Sequence, residues 1–168
     1  MAEASAAKIV QERRLWLAVA RAQLDLGIPI PARGLDDYAR VIEQVDLESI
    51  AARERVTKHD VKARIEEFNA LAGHEAIHIG MTSRDLTENV EQLQVRESLL
   101  VVRDRVVAVL ARLSALAIEH FDTPITGRSH NVPAQATTLG KRFASAADEL
   151  LVAYARLEEL LARYPLRG

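Results

Sequence analysis

An all-α fold is predicted for this 168-residue chain by three observations. Apolar residues recur every three to five positions over long stretches, as on the buried face of a helix. Seven glycines and five prolines punctuate those stretches. No segment reads as a clear strand, and there is no internal repeat or low-complexity tract.

The first helix is expected from about Ala4 to Leu26, with Val10, Leu15, Val19, Ala22 and Leu26 inward. Gly27 stops it, and Ile28-Pro29-Ile30-Pro31 is an extended connector that cannot continue a helix. A short helix over Asp36 to Gln44 follows, and another after Asp46. Thr57 with Asp60 three residues on predicts a capping box opening a helix from Val61 to Leu71. Residues 73–82 form a glycine-bounded loop, and Thr82-Ser83-Arg84-Asp85 is the next helix start. Leu86, Val90, Leu93, Leu100, Val107, Leu110, Leu113 and Ala117 then mark one helix of about 35 residues, roughly 50 Å long. Pro124, Gly127 and Pro133 break the pattern between Asp122 and Thr138. A final helix from Thr138 to Arg163 turns Phe143, Ala147, Leu150, Tyr154, Leu157 and Leu161 inward. Two such long helices carry wider apolar faces than they can cover between them, so a bundle and a homo-oligomer are expected. The domain break is placed near residue 82, giving a helical domain over 1–82 and a long-helix domain over 83–168.

Composition narrows the function classes. Hydrophobic residues make up 49% and charged residues 27%, enough apolar surface for a core. Net charge is −2 with the two signs interspersed, which gives no electrostatic case for nucleic acid or a membrane surface. The chain has no cysteine, so disulfides, thiolate nucleophiles and Cys-ligated metals are excluded. A soluble protein of the reducing cytoplasm is expected, because the N-terminus lacks a signal-peptide apolar core and no apolar run approaches the roughly 20 residues of a membrane span.

His74-Glu75-Ala76-Ile77-His78 matches the zinc-protease pattern H-E-x-x-H, which needs both histidines on one helical face. Gly73 and Gly80 leave barely two turns for such a helix, Arg84 stands where an extended motif has a third histidine, and no residue is singled out as the third ligand. The motif is read as a coincidence, and no metal or cofactor is expected.

Three polar segments at helix starts carry the functional reading. In Lys58-His59-Asp60-Val61 an imidazole sits between a cation and a carboxylate at a helix N-terminus, where free N–H groups favour anions. In residues 78–85, Gly80 allows close backbone approach and Thr82 and Ser83 offer hydroxyls, which suits a carboxylate. Residues 127–138 place twelve small or polar groups between two long helices, with His130 as candidate acid or base and Ser129, Gln135, Thr137 and Thr138 as substrate contacts. Each has a plainer reading: a capping segment with a solvated histidine, an ordinary Ser/Thr N-cap, and a hydrophilic turn.

Taken together and in order, K-H-D-V-K-A at 58–63, H-x-G-M-T-S-R-D-L-T-E-N at 78–89 and G-R-S-H-N-V-x-A-Q-A-T-T-L-G at 127–140 resemble the adenylosuccinate lyase branch of the fumarase/aspartase superfamily. The resemblance extends from about Ala6 to Gly168. It implies a small N-terminal helical domain followed by the first long helices of a fumarase/aspartase-type bundle. It also implies β-elimination of fumarate from adenylosuccinate, giving AMP, and from the succinyl-carboxamide ribotide of purine synthesis. By the same resemblance His130 is the general acid for the departing nitrogen and His59 assists it. Thr82 and Ser83 hold the succinyl carboxylate, while Lys58, Asp60, Ser129 and Gln135 are substrate-binding. The family's base is a serine in a glycine-rich loop of the S-S-x-M-P-x-K-x-N-P type, and family active sites combine loops from three subunits of a homotetramer. No such serine segment, and no initial arginine-tyrosine pair, occurs in these residues. The expectation is a lyase portion inactive by itself. The rival class is a non-catalytic helical binding or oligomerisation module that keeps lyase-like loops.

Overall fold

The computed structural model describes residues 2–165, with the side chains of 2–5 and 32 excepted. Six helices and one two-stranded hairpin follow in the order α1 (Ala2–Asp25), α2 (Ala32–Arg40), α3 (Leu47–Thr57), α4 (Asp60–Ala72), α5 (Ser83–Glu119), β1 (Pro124–Ser129), β2 (Val132–Thr138) and α6 (Leu139–Ala162). The described residues divide into two compact units, one running to Leu93 and one spanning Gln94–Pro165.

In the first unit, α1 ends where the sequence predicts. Gly27 takes φ +85°, with Gly27 N–H on Leu24 O and Ile28 N–H on Gln23 O, the paired bonds of a Schellman motif that glycine accommodates without a Cβ clash. The buried face of α1 differs from the expected one. It runs through Ile9, Val10, Glu12, Arg13, Trp16, Leu17 and Ala20, whereas Leu15 and Val19 are half-buried and Leu26 is 83% exposed. An apolarity count misses this face because two of its members are charged. Helix α2 starts four residues earlier than expected, with Pro31 at its N-cap, a position that tolerates the missing N–H and uses the fixed φ. It also stops early. Just beyond its end, Arg13 Nη1 donates to Val41 O at 2.9 Å and Ile42 O at 3.0 Å, holding the turn that follows.

Trp16, Leu17, Tyr38, Val61, Phe68 and Leu86 form the centre of this unit's core, each large side chain contributing about 1.5–3 kcal/mol by leaving water. Beneath them lie charges. Arg13 and Glu67 pair at 2.5 Å, both essentially without solvent contact. The guanidinium also lies 4.5 Å over the Phe68 ring.

In the second unit, α5 continues without interruption to Glu119, as the sequence predicts, and α6 returns after a hairpin. That hairpin corrects the reading of residues 122–138 as strand-free. Strands β1 and β2 pair antiparallel from Pro124↔Thr138 to Ser129↔Val132, with a register shift after Gly127. His130 (φ +48°) and Asn131 (φ +64°) are its two loop residues, and positive φ at both positions is the I′ geometry that suits strand twist. The bulge accommodates Pro133, which has no N–H to give to the ladder. Most of these strand residues are exposed, and only Ile125 and Gly127 alternate inward on β1, too short a run to reveal a strand. The six positions predicted inward on α6 are all half-buried, as are Leu139 and Glu158. Apolar side chains elsewhere on the two long helices stay open, among them Val101 at 60%, Val109 at 49% and Val152 at 54% exposure. Val107, Leu110, Ala147 and Leu151 line an apolar cleft of about 650 Å³.

Gly140 joins α6 to the end of α5 by direct backbone contact. Its N–H donates to His120 O at 2.8 Å, and a Cβ there would fall 2.4 Å from Ala117 O and 2.7 Å from Phe121 Cα. Gly140→Ala is therefore expected to cost about 1–3 kcal/mol of unfolding free energy through overpacking. Urea denaturation checks this, and an unchanged midpoint would contradict the close approach.

Candidate active-site residues

The first unit brings together the N-termini of α4 and α5. Lys58 closes α3 in the left-handed conformation at φ 53°, its N–H on Glu54 O. That reversal sets His59 in extended backbone as the N-cap of α4. The capping role expected of Thr57 thus falls to His59, whose Nδ1 accepts the Lys62 N–H at 3.3 Å. Thr57 Oγ1 instead exchanges hydrogen bonds with the His59 backbone, accepting its N–H and donating to its carbonyl. With Nδ1 accepting, the neutral ring carries its proton on Nε2. Nε2 lies 3.4 Å from Ser83 Oγ, the first residue of α5.

Asp60 stands beside this ring, Oδ1 3.6 Å from His59 Nδ1. Partial burial works to raise its pKa, but the Val61 N–H and the Arg64 guanidinium outweigh it and hold the carboxyl below its ordinary value. Arg64 bridges outward to Asp60 Oδ2 at 3.0 Å and inward to Glu12 Oε2 at 2.6 Å. The inner contact is a charge contact off the hydrogen-bonding line, so both Glu12 oxygens lack a well-aligned donor among the described residues. Burial pushes the Glu12 carboxyl up, and Arg64 and Lys8 only partly offset it.

Thr82 opens α5 through a reciprocal capping box. Its N–H donates to Asp85 Oδ2 at 2.6 Å, and Asp85 N–H donates to Thr82 Oγ1 at 3.4 Å. The preceding loop is tied to α1 by Gln23 Nε2 donating to Ile79 O at 2.7 Å. Residue-level reading of the sequence left His78 outside the candidate set. Its backbone takes φ +64°, a conformation few non-glycine residues adopt. Its ring is half-buried and feels both Asp85 and His59.

The H-E-x-x-H segment is irregular rather than helical, and its two histidines turn to different partners. His74 Nε2 meets Asp37 Oδ2 at 2.7 Å, while His78 Nδ1 accepts from Trp16. The His74 contact, with help from Arg40, holds the Asp37 carboxyl below its ordinary value.

Ser129, His130 and Gln135 lie together on the hairpin of the second unit, all exposed. His130 occupies the turn, Ser129 closes it opposite Val132, and Gln135 sits opposite Gly127. Arg128 Nη1 donates to Asn131 O at 2.8 Å across the turn. Thr138 caps α6, its Oγ1 accepting the Lys141 N–H at 3.2 Å. The eight candidate residues thus form two groups: Lys58, His59, Asp60, Thr82 and Ser83 at two helix starts, and Ser129, His130 and Gln135 on one hairpin.

This assembly of short helical unit, long helices and polar helix-start loops is the architecture of fumarase/aspartase-type lyases. A chain of the fumarate lyase from Mesorhizobium sp. BNC1 superposes with a TM-score of 0.81 at 29% identity, over 91% of this chain and 37% of that one. The β-carboxy-cis,cis-muconate cycloisomerase from Acinetobacter calcoaceticus sp. ADP1 shares the fold at a TM-score of 0.82 and 22% identity, over 97% of this chain and 41% of that one. The sequence profile of the family described as lyase matches residues 4–167, and the chain belongs to that family. Its curated relatives include the adenylosuccinate lyase of Saccharomyces cerevisiae, 34% identical over 163 residues, 93% of this chain and 33% of that protein. The adenylosuccinate lyase of Methanothermobacter thermautotrophicus is 42% identical over 139 residues, 79% of this chain and 30% of that protein. The chain spans about a third of the length of these relatives. Among the described residues, no helix is long and apolar enough to cross a membrane.

Burial holds the His78 pKa below its ordinary 6.5, and the His59 field adds to that, while Asp85 opposes it. A depressed folded value means the unfolded chain binds more protons in this range. The stability contributed by neutral His78 is complete above its unfolded pKa of about 6.5 and is lost as pH falls through the folded value. Between about pH 7 and about pH 5, the wild-type chain is expected to lose more unfolding free energy than His78→Gln. Parallel slopes in denaturant melts across that range would contradict the assignment.

Proposed function

We propose that this chain is part of an adenylosuccinate lyase and supplies the acid side of its β-elimination. The contact between His59 Nε2 and Ser83 Oγ carries the proposal, because it joins two of the three motif segments at one place. The third segment presents His130 at an exposed turn, open to a substrate. In the reaction a base removes the proton from the carbon next to the C–N carbon. The electron pair forms the C=C bond of fumarate, the C–N bond breaks, and His130 protonates the departing nitrogen of AMP or of the carboxamide ribotide. His59 assists, with its tautomer set by the Lys62 N–H. Thr82 and Ser83 hold the succinyl carboxylate at the α5 N-terminus, where free N–H groups and the helix dipole favour an anion. Lys58, Asp60, Ser129 and Gln135 line the substrate.

The base in this reading is a serine supplied by a further segment of the enzyme. The long helices of 83–168 join a homo-oligomeric bundle in the cytoplasm, and 1–82 forms the smaller helical domain. The exposed apolar faces of α5 and α6 are the surfaces such an assembly would cover. They also favour a second reading, in which the chain is a helical oligomerisation module without chemistry.

The chain alone is expected to release no fumarate from adenylosuccinate. Mixed with a polypeptide carrying the serine loop and the rest of the bundle, it is expected to restore fumarate release. His130→Gln in this chain should then lower kcat about 10²–10⁴-fold. Absence of restored turnover, with AMP binding retained in calorimetry, would favour the module instead.

A further inference from the structure

His78 is fixed from one side by an unusual partner. Trp16, on α1 and 1% exposed, stacks on Phe68 with ring centroids 6.3 Å apart. The imidazole of His78 stands edge-on to the indole, centroids 5.9 Å apart at 89°. Trp16 Nε1–H donates to His78 Nδ1 at 2.9 Å. An indole nitrogen can only donate, so Nδ1 must be a bare acceptor. The neutral ring then carries its hydrogen on Nε2. Protonating Nδ1 would set two donors face to face and strand a buried indole N–H, a costly arrangement. The groups acting on the ring are Trp16 from α1, Asp85 from α5 and His59 from the α3–α4 turn. Among the described residues none takes a hydrogen bond from Nε2.

The plainer account is that the buried tryptophan merely uses the histidine to satisfy its own N–H. The placement argues for more. His78 adopts a disfavoured left-handed backbone to reach Trp16, in the loop that leads straight into the Thr82–Asp85 capping box. A satisfied indole N–H requires only some acceptor, whereas this loop presents a ring whose second nitrogen stays unengaged.

We propose that Trp16 is a positioning residue: its indole N–H locks His78 in the neutral Nε2–H tautomer, so that Nε2–H is a standing donor to a carboxylate or phosphate oxygen bound beside His59 and Ser83. The tautomer half stands on the geometry alone, and the ligand half rests on the lyase reading.

Nitrogen-15 NMR of the histidine side chains in the whole 168-residue chain tests the first half. Above the titration range, His78 should show a protonated Nε2 and an unprotonated Nδ1, favoured about fivefold by one hydrogen bond. Trp16→Phe keeps an aromatic ring in the core but removes the donor. It should lose that bias and move the His78 titration upward. A wild-type Nδ1–H tautomer, or a bias unchanged in a folded Trp16→Phe chain, would overturn the proposal. If Trp16→Phe does not fold, the wild-type tautomer decides.

The second half is read in the enzyme restored with the serine-bearing polypeptide. There Trp16→Phe should raise KM for adenylosuccinate about tenfold with little change in kcat. Unchanged KM would overturn the ligand half. Failure of the wild-type mixture to turn over would remove the lyase reading and the ligand half with it, while the tautomer result stands.

Discussion

Glu67 enters the interior of the first unit on α4, and once its carboxylate leaves water it needs a cation and donors at fixed positions. Arg13 supplies the cation from α1, and Asp46 N–H donates to the other carboxylate oxygen at 3.1 Å. The same guanidinium takes the carbonyls of Val41 and Ile42, which holds the turn between α2 and α3. One buried ion pair therefore sets where α1, the α2–α3 turn and α4 meet. Such a pair adds little net stability over an apolar substitute, because desolvation of both ions offsets their attraction. Its effect is to penalise every arrangement in which one partner is buried alone.

The candidate site stands on that frame. Helix α4 is anchored near its middle by Glu67 and, three residues earlier, by Arg64, which reaches back to Asp60 beside His59. The Lys62 N–H then fixes which His59 nitrogen accepts. Position and tautomer of the imidazole thus come from backbone and buried charges rather than from the ligand. Preorganisation of this kind is what acid–base chemistry requires, since a donor already aimed needs no rearrangement at the moment of reaction. The His130 hairpin follows a different principle. Two consecutive positive φ values present the ring at a tight exposed turn, set between two long helices.

Much of this was legible in the residues. Gly27 marked the end of α1, Thr82 with Asp85 marked the start of α5, and the α6 periodicity marked the face that is half-buried. Other features had no local signal. The α1 face was misplaced because Glu12 and Arg13, normally solvated residue types, lie inside it. The hairpin carries little signal because most of its residues are exposed and Gly127 and Pro133 interrupt it, leaving only Ile125 and Gly127 turned inward on β1. His59 replaced Thr57 as the cap of α4 because the left-handed Lys58 places its ring over the first turn, and that backbone reversal is not encoded by spacing. The motif resemblance named the polar loops, but it gave no sign of the Trp16 contact behind His78.

The buried Arg13–Glu67 pair dictates the frame by making each partner obligatory for the other. A double-mutant cycle on unfolding free energy, using Arg13→Met, Glu67→Met and the combination, measures that mutual dependence. Each single change should cost about 3–5 kcal/mol by stranding a buried charge, and the double variant should recover most of that loss. Single changes within about 1 kcal/mol of wild type, or losses that simply add in the double variant, would contradict it.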